Sequence, residues 1–190
     1  MLILASRSPQ RRAILTAVGI DFRVVVSAFT ERERGADPVS LAQANAAGKA
    51  RDVVTRSGVS GGAAVLGVDT VVILDGQSLG SPDDEGDARS MLASLAGREH
   101  AVVSALCLVA GSAEAARTVR TRVRFRDLSE RAVTNYVATG EWRGRAGGYA
   151  IQGAGMSLVG DVHGDYSNVV GLPVSALLDA MTELGIKAPR

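Results

Sequence analysis

Apolar and polar positions follow two rhythms along this chain, and the switches between them outline a series of helices and strands. The opening Leu2-Ile3-Leu4-Ala5 reads as a short buried strand. A helix follows, with Ser8 as its N-cap, Pro9 at the first helical position, Ile14, Leu15 and Val18 as its apolar stripe, and Gly19 closing it. Residues 22–26 read as a second strand, and Asp37-Pro38 opens a second helix carrying Val39, Leu41, Ala42, Ala46 and Ala50. Residues 63–74 are nearly all apolar, which predicts a central strand buried on both faces. Asp75-Gly76 then makes a tight turn into Ser78-Leu79. A helix is expected around residues 88–95, followed by two long strands, about 101–109 and 116–126, paired as a hairpin. The second of these alternates cleanly, Val119, Thr121, Val123 and Phe125 against Arg120, Arg122, Arg124 and Arg126, as a half-buried strand does. A helix over residues 129–139, a glycine-rich stretch over 140–155 and a last helix from Pro173, burying Leu177, Leu178, Met181 and Leu184, complete the chain. Together these elements predict an α/β fold, a mixed twisted sheet flanked by helices, in a single domain over residues 1–190.

Composition narrows the function classes. With 190 residues, 46% of them hydrophobic, the chain can bury one large core or two small lobes. Its 21 Lys and Arg against 20 Asp and Glu leave no dominant field, and aromatics are only 4%, so neither a nucleic-acid partner nor a membrane surface is expected. The single cysteine, Cys107, sits in the apolar run Ala105-Leu106-Cys107-Leu108-Val109 and reads as a reduced core thiol. The first residues carry no basic leader, and no stretch is long enough to span a bilayer, so a cytoplasmic setting is expected. His100 and His163 lie in no zinc-ligand spacing, and neither a P-loop nor a G-x-S-x-G elbow is present.

Three features are costly for folding alone. Arg11 and Arg12 fall in the first turn of the first helix, where the helix carries partial positive charge. With Ser6, Ser8 and the exposed amides they could cradle an anion, or both could point into solvent. Asp69 lies inside Val65-Leu66-Gly67-Val68-Asp69-Thr70-Val71-Val72-Ile73, and a carboxylate there must be paired, hydrogen-bonded or bound to metal. The bland alternative is a strand-end aspartate held by backbone amides. Lys49, among Ala46, Ala47, Gly48 and Ala50, could reach a partner or simply snorkel to water. The arginine face from Arg120 to Arg126 reads as a solvated strand face rather than a nucleic-acid stripe.

Taken in order, these segments resemble the Maf-type nucleoside triphosphate pyrophosphatases. The resemblance rests on Leu4-Ala5-Ser6-Arg7-Ser8-Pro9-Gln10-Arg11-Arg12, Ala46-Ala47-Gly48-Lys49-Ala50 and Gly67-Val68-Asp69-Thr70-Val71-Val72. It continues through Leu95-Ala96-Gly97-Arg98-Glu99-His100, Gly140-Glu141, Arg145-Ala146-Gly147-Gly148-Tyr149-Ala150-Ile151-Gln152-Gly153 and Asn168-Val169-Val170-Gly171-Leu172-Pro173. It implies an elongated fold related to the inosine-triphosphate pyrophosphatases, with a nucleotide cleft, and hydrolysis between the α- and β-phosphates with a divalent cation, Mg²⁺ or Mn²⁺. It implies Asp69 as proton acceptor, Lys49 as its catalytic neighbour and Arg11 as a phosphate ligand, with Ser8, Gln10 and Arg12 in the same phosphate-binding segment. The acidic residue after the second strand corresponds to Glu31, with Glu33 leaving the register open. With Asp69 it would hold the metal or position water. Thr70 and Gln152 resemble the subgroup acting on dTTP and UTP, and Gln152 has the donor and acceptor groups to read a base edge.

Two departures from the family pattern stand out. Gln10 replaces the first arginine of S-P-R-R, and Ser81 replaces the lysine of G-K-P; Arg12, Arg89 or Arg145 could supply the missing charge. The rival readings are a pyrophosphatase for 7-methyl-GTP or for ITP and XTP, and a nucleotide-binding regulator of septum formation with weak catalysis. The expected partner is the triphosphate itself; a homodimer is left open.

Overall fold

A computed structural model describes residues 1–32, 37–57 and 62–187. In chain order the elements are β1 (Leu2–Leu4), α1 (Pro9–Ala17), β2 (Phe22–Val24), α2 (Pro38–Ser57), β3 (Ala64–Leu74), β4 (Gln77–Leu79), α3 (Glu85–Leu95), β5 (Glu99–Ala110), β6 (Ala113–Phe125), α4 (Glu130–Ala138), β7 (Val159–His163), α5 (Tyr166–Val170) and α6 (Val174–Glu183). The strands form one mixed sheet in the order β2-β1-β3-β5-β6-β7, with β4 paired to β3 off that path. β1 runs parallel to β2 and β3, whereas β4 is antiparallel to β3 and β7 antiparallel to β6. This is the α/β class with the mixed sheet that the periodicities predict.

The chain divides into two compact units. The first comprises Met1–Asp69, Ser104–Val119 and Gly171–Arg190. Its core gathers Leu2 and Leu4 of β1, Leu15 of α1, Leu66 and Val68 of β3, Leu106 and Leu108 of β5, and Leu177, Ala180 and Met181 of α6. The helix start behaves as read: the Ser8 hydroxyl accepts from the Arg11 amide, and Gly19 takes a positive φ of 70° just past the end. The parity of β3 matters most. Leu66 and Val68 point into this core, so Gly67 and Asp69 point to the opposite face, where α2 lies. A Cβ on Gly67 would sit 2.1 Å from the Ala46 carbonyl oxygen and 3.0 Å from the Ala50 methyl. Glycine on the strand and alanines on the helix thus bring two backbones unusually close.

The second unit comprises Thr70–Val103 and Arg120–Val170. Its core collects Val72 and Leu74 of β3, Leu92 and Leu95 of α3, Val123 and Phe125 of β6, Tyr136 and Val137 of α4, and Trp142, Tyr149 and Ile151 of the glycine-rich stretch. The Asp75-Gly76 turn has φ of 50° and 79°, the positive values a two-residue hairpin needs. α3 begins three residues before the expected 88, because Asp84 caps it and Glu85 and Asp87 suit its positive end. β2 stops at Val24, with Val24 and Val26 exposed at the sheet edge. β7 and α5 have no counterpart in the sequence reading. β7 is a five-residue strand interrupted by Gly160, and α5 is a five-residue helix set by the Asp165 carboxylate, which accepts from the Ser167 and Asn168 amides. α5 is too short for periodicity to register, and in β7 the bulge at Gly160 breaks the alternation.

Candidate active site

α2 shows how the sequence builds the site. Its buried positions are Leu41, Ala42, Asn45, Ala46, Lys49, Ala50 and Val53, one stripe at helical spacing. Two members of that stripe, Asn45 and Lys49, are polar. The close approach at Gly67 sets Lys49 against β3, and its ammonium lies 2.6 Å from Asp69 Oδ1. The same nitrogen lies 2.9 Å from Glu31 Oε1 and 3.5 Å from the Val68 carbonyl oxygen. Lys49 therefore bridges two carboxylates, one buried and one half open to solvent. The snorkelling alternative for Lys49 does not occur; its side chain is turned inward and paired.

Asn45 completes the buried face. Its Oδ1 accepts from the Arg32 amide at 2.8 Å, and its Nδ2 donates to the Arg32 carbonyl at 3.1 Å and to Asp69 Oδ2 at 3.4 Å. Sequence reasoning missed this residue. The available signal was a lone amide on an apolar helix stripe, one turn before Lys49.

Arg11 is buried at the start of α1. Its Nε donates to the Gly171 carbonyl at 2.9 Å and its Nη1 to Ser6 Oγ at 3.0 Å. Burial pulls its pKa below the usual guanidinium range, while the carboxylates of Asp69 and Glu31 pull it back up. The guanidinium thus belongs to the same electrostatic neighbourhood as the bridged carboxylates. Burial also pushes the Asp69 carboxyl above its ordinary range, and the Lys49 ammonium opposes that rise. Four charged groups, Arg11 and Lys49 against Glu31 and Asp69, balance to zero in the first unit, three of them buried and Glu31 half exposed.

The helix start differs from an open cradle of amides. The Ser8 amide donates to Ser6 Oγ and the Arg11 amide to Ser8 Oγ, while the Ser8 hydroxyl donates to Gln10 Oε1 at 3.1 Å. Capping takes up these groups, so the charge offered here comes from the Arg11 side chain. Arg12 is exposed and lines a groove of about 750 Å³ with Pro9, Ala13, Thr16, Phe22 and Val24. Glu33 lies outside the described residues.

Thr70 and Gln152 belong to the second unit. Thr70 is half-buried in β3, and Gln152 is exposed at the start of a short 3₁₀ turn. That turn is pinned by Glu141, whose carboxylate accepts from the Ala154 and Gly155 amides at 3.0 and 3.2 Å. The Tyr136 hydroxyl accepts from the Ala150 amide at 2.9 Å and holds the other side of the segment. Arg89 donates to the Thr134 hydroxyl at 2.8 Å.

The donor set fits a hard divalent cation. Asp69 and Glu31 present carboxylate oxygens, the donors such an ion prefers, and share one cation, the Lys49 ammonium. Among the described residues no group of three or more His, Cys, Asp or Glu could hold a metal, so an ion here would complete its shell from water and substrate oxygens, as Mg²⁺ commonly does.

Known proteins match along most of the chain. The family model described as Maf-like protein matches residues 1–184, spanning both units. A dTTP/UTP pyrophosphatase of Symbiobacterium thermophilum is 44% identical over 185 residues, covering 97% of this chain and 94% of that protein. A dTTP/UTP pyrophosphatase of Thermococcus gammatolerans is 43% identical over 187 residues, covering 98% of each. Among solved structures, a HAM1 protein from Coxiella burnetii aligns with a TM-score of 0.46 and 14% identity, covering 65% of this chain and 72% of that one.

Proposed function

The chain belongs to the Maf family, and we propose that it acts there as a nucleoside triphosphate pyrophosphatase, cleaving its substrate to the monophosphate and pyrophosphate. One observation carries the site assignment: a buried carboxylate, Asp69, is held 2.6 Å from Lys49, with Glu31 on the same ammonium and Arg11 alongside.

The residues divide the work by position. Asp69 is the proton acceptor for the water that attacks the α-phosphorus. Its burial raises its basicity, and the Lys49 ammonium opposes that rise and orients the carboxylate. Glu31, half exposed, meets incoming water and substrate at the open side. Arg11, anchored by the Gly171 carbonyl and Ser6, offers fixed positive charge to the phosphates. The four side chains sum to zero charge, so a triphosphate needs further cations. Mg²⁺ or Mn²⁺ bound through Asp69 and Glu31 would neutralise phosphate charge and acidify a water.

The finer reading is a preference for dTTP and UTP, the substrates for which the relatives at 43–44% identity are named. Thr70 and Gln152 are the residues we assign to base choice. A cytoplasmic setting, where triphosphates are made and consumed, is part of the proposal.

The test is a panel of dTTP, UTP, ITP, XTP and 7-methyl-GTP with Mg²⁺, with pyrophosphate and orthophosphate assayed separately. Pyrophosphate release fastest from dTTP and UTP is expected. A maximum at 7-methyl-GTP or at a purine would redirect the base assignment, and tight binding without pyrophosphate release would replace catalysis by regulation.

A further inference from the structure

The segment from Ser27 to Arg32 belongs to no helix or strand, yet it delivers Glu31 to Lys49. An irregular segment must be fastened if a side chain on it is to hold one position. Three fastenings are present, and all come from one face of α2. Asp52 Oδ2 accepts from the Ser27 hydroxyl and the Ala28 amide, both at 2.8 Å. The Phe29 ring lies over Gly48, where a Cβ would come within 2.4 Å of the ring. Asn45 grips the main chain at Arg32 through both its amide and its carbonyl. Positions 45, 48, 49 and 52 follow the i, i+3, i+4, i+7 spacing of a single helix face. The catalytic lysine therefore sits between the clamps that hold its second carboxylate.

Two of these residues make little sense otherwise. Glycine inside a helix is worse than alanine, and Gly48 faces an aromatic ring that alanine would evict. Asn45 is buried, and both ends of its amide are used on one loop residue, so its orientation is set.

We propose that Asn45 and Gly48 are positioning residues that fasten the 27–32 segment onto α2 and so seat Glu31 on Lys49. The inference rests on the catalytic reading above, since it assigns Glu31 a role in turnover. A displacement of about 1 Å at such a group costs on the order of 100-fold in rate.

The experiment compares Asn45→Ala, Gly48→Ala and Glu31→Gln, singly and in pairs, with dTTP and Mg²⁺. It also follows hydrogen exchange at the Arg32 amide without substrate. Gly48→Ala gains helix propensity while it displaces the Phe29 ring, two opposed effects that should leave its thermal midpoint within a few degrees of the parent, and it keeps the test decisive should Asn45→Ala fold poorly. Each positioning variant is expected to lose on the order of 100-fold in kcat with KM changed less than about threefold. Gly48→Ala should add almost nothing to the loss already caused by Glu31→Gln, because it acts through that group, whereas Asn45→Ala, which also removes a hydrogen bond to Asp69, should add a smaller loss of its own. The Arg32 amide should exchange faster in both. Retained kcat in Gly48→Ala, or a Gly48→Ala loss that multiplies with that of Glu31→Gln, would overturn the inference. Should the parent enzyme itself release no pyrophosphate, the catalytic reading fails. The clamp then stands on accelerated Arg32 exchange in both variants and falls if exchange is unchanged.

Discussion

Lys49 Nζ lies 2.6 Å from Asp69 Oδ1, a helix ammonium against a strand carboxylate twenty residues further along the chain. Both side chains are about nine-tenths buried, so each offsets part of the desolvation cost of the other. The pairing explains how a carboxylate survives in the middle of an apolar strand, and it also fixes the orientation of the proposed proton acceptor.

Replacing Asp69 by Asn keeps the volume and removes the charge. Turnover should fall by at least about 100-fold, the usual contribution of a positioned acid–base group. The far-ultraviolet circular dichroism should be unchanged, since shape and packing are kept. Pyrophosphate release near the parent rate would remove Asp69 from the mechanism.

Lys49→Met takes away the ammonium and leaves Asp69 buried without its partner. Breaking a buried pair from one side costs about 3 kcal/mol, and the remaining Glu31 adds like-charge repulsion. A lower urea midpoint with an unchanged m-value is expected. In the double variant Lys49→Met/Asp69→Asn much of that loss should return, because the buried carboxylate is gone and the remaining one, Glu31, is half exposed to water.

Gly67→Ala tests the close approach of α2 to β3. The new methyl would meet the Ala46 carbonyl at 2.1 Å, backbone that cannot swing aside as a side chain could. Overpacking of this kind costs about 1–3 kcal/mol. Because α2 carries Lys49, the shift should also lower kcat, measurable beside the denaturant midpoint. A variant as stable and active as the parent would show that the helix needs no such contact.

His100 gives the second unit a defined acid sensitivity. Its imidazole is buried, hydrogen-bonded to the Tyr149 hydroxyl at 2.7 Å and packed edge-on to Phe125. Burial lowers its pKa from 6.5 to about 4. The unfolded chain therefore binds this proton first as pH falls. Stability from the neutral imidazole is complete above about pH 6.5 and is lost between there and about pH 4, roughly 3 kcal/mol in all. Urea midpoints measured across that window should fall for the parent, and the fall should be visibly shallower in His100→Leu. Equal slopes for the two proteins would mean that other groups govern the acid limb.

Much of the architecture is legible in local pattern. The β3 run from Ala64 to Leu74, the arginine alternation of β6, the Ser8-Pro9 start of α1 and the Asp75-Gly76 turn all follow from neighbours in sequence. Periodicity and capping act over a few residues, so a linear chain displays them. α5, shorter than two helical turns, escaped for the same reason, and β7 escaped because its bulge breaks the alternation.

The sequence by itself determined the α/β class, the anomaly of a carboxylate at residue 69 and the ordered set of segments that marks the family. Only the tertiary structure decided what that carboxylate touches, because the contact of Lys49 with Asp69 depends on the small residues that let α2 approach β3. It also separated Arg11 from Arg12, one turned in to Gly171 and Ser6, the other left on an exposed groove. Adjacent residues on a helix point about 100° apart, and which of the two meets the buried charges depends on how the helix is docked.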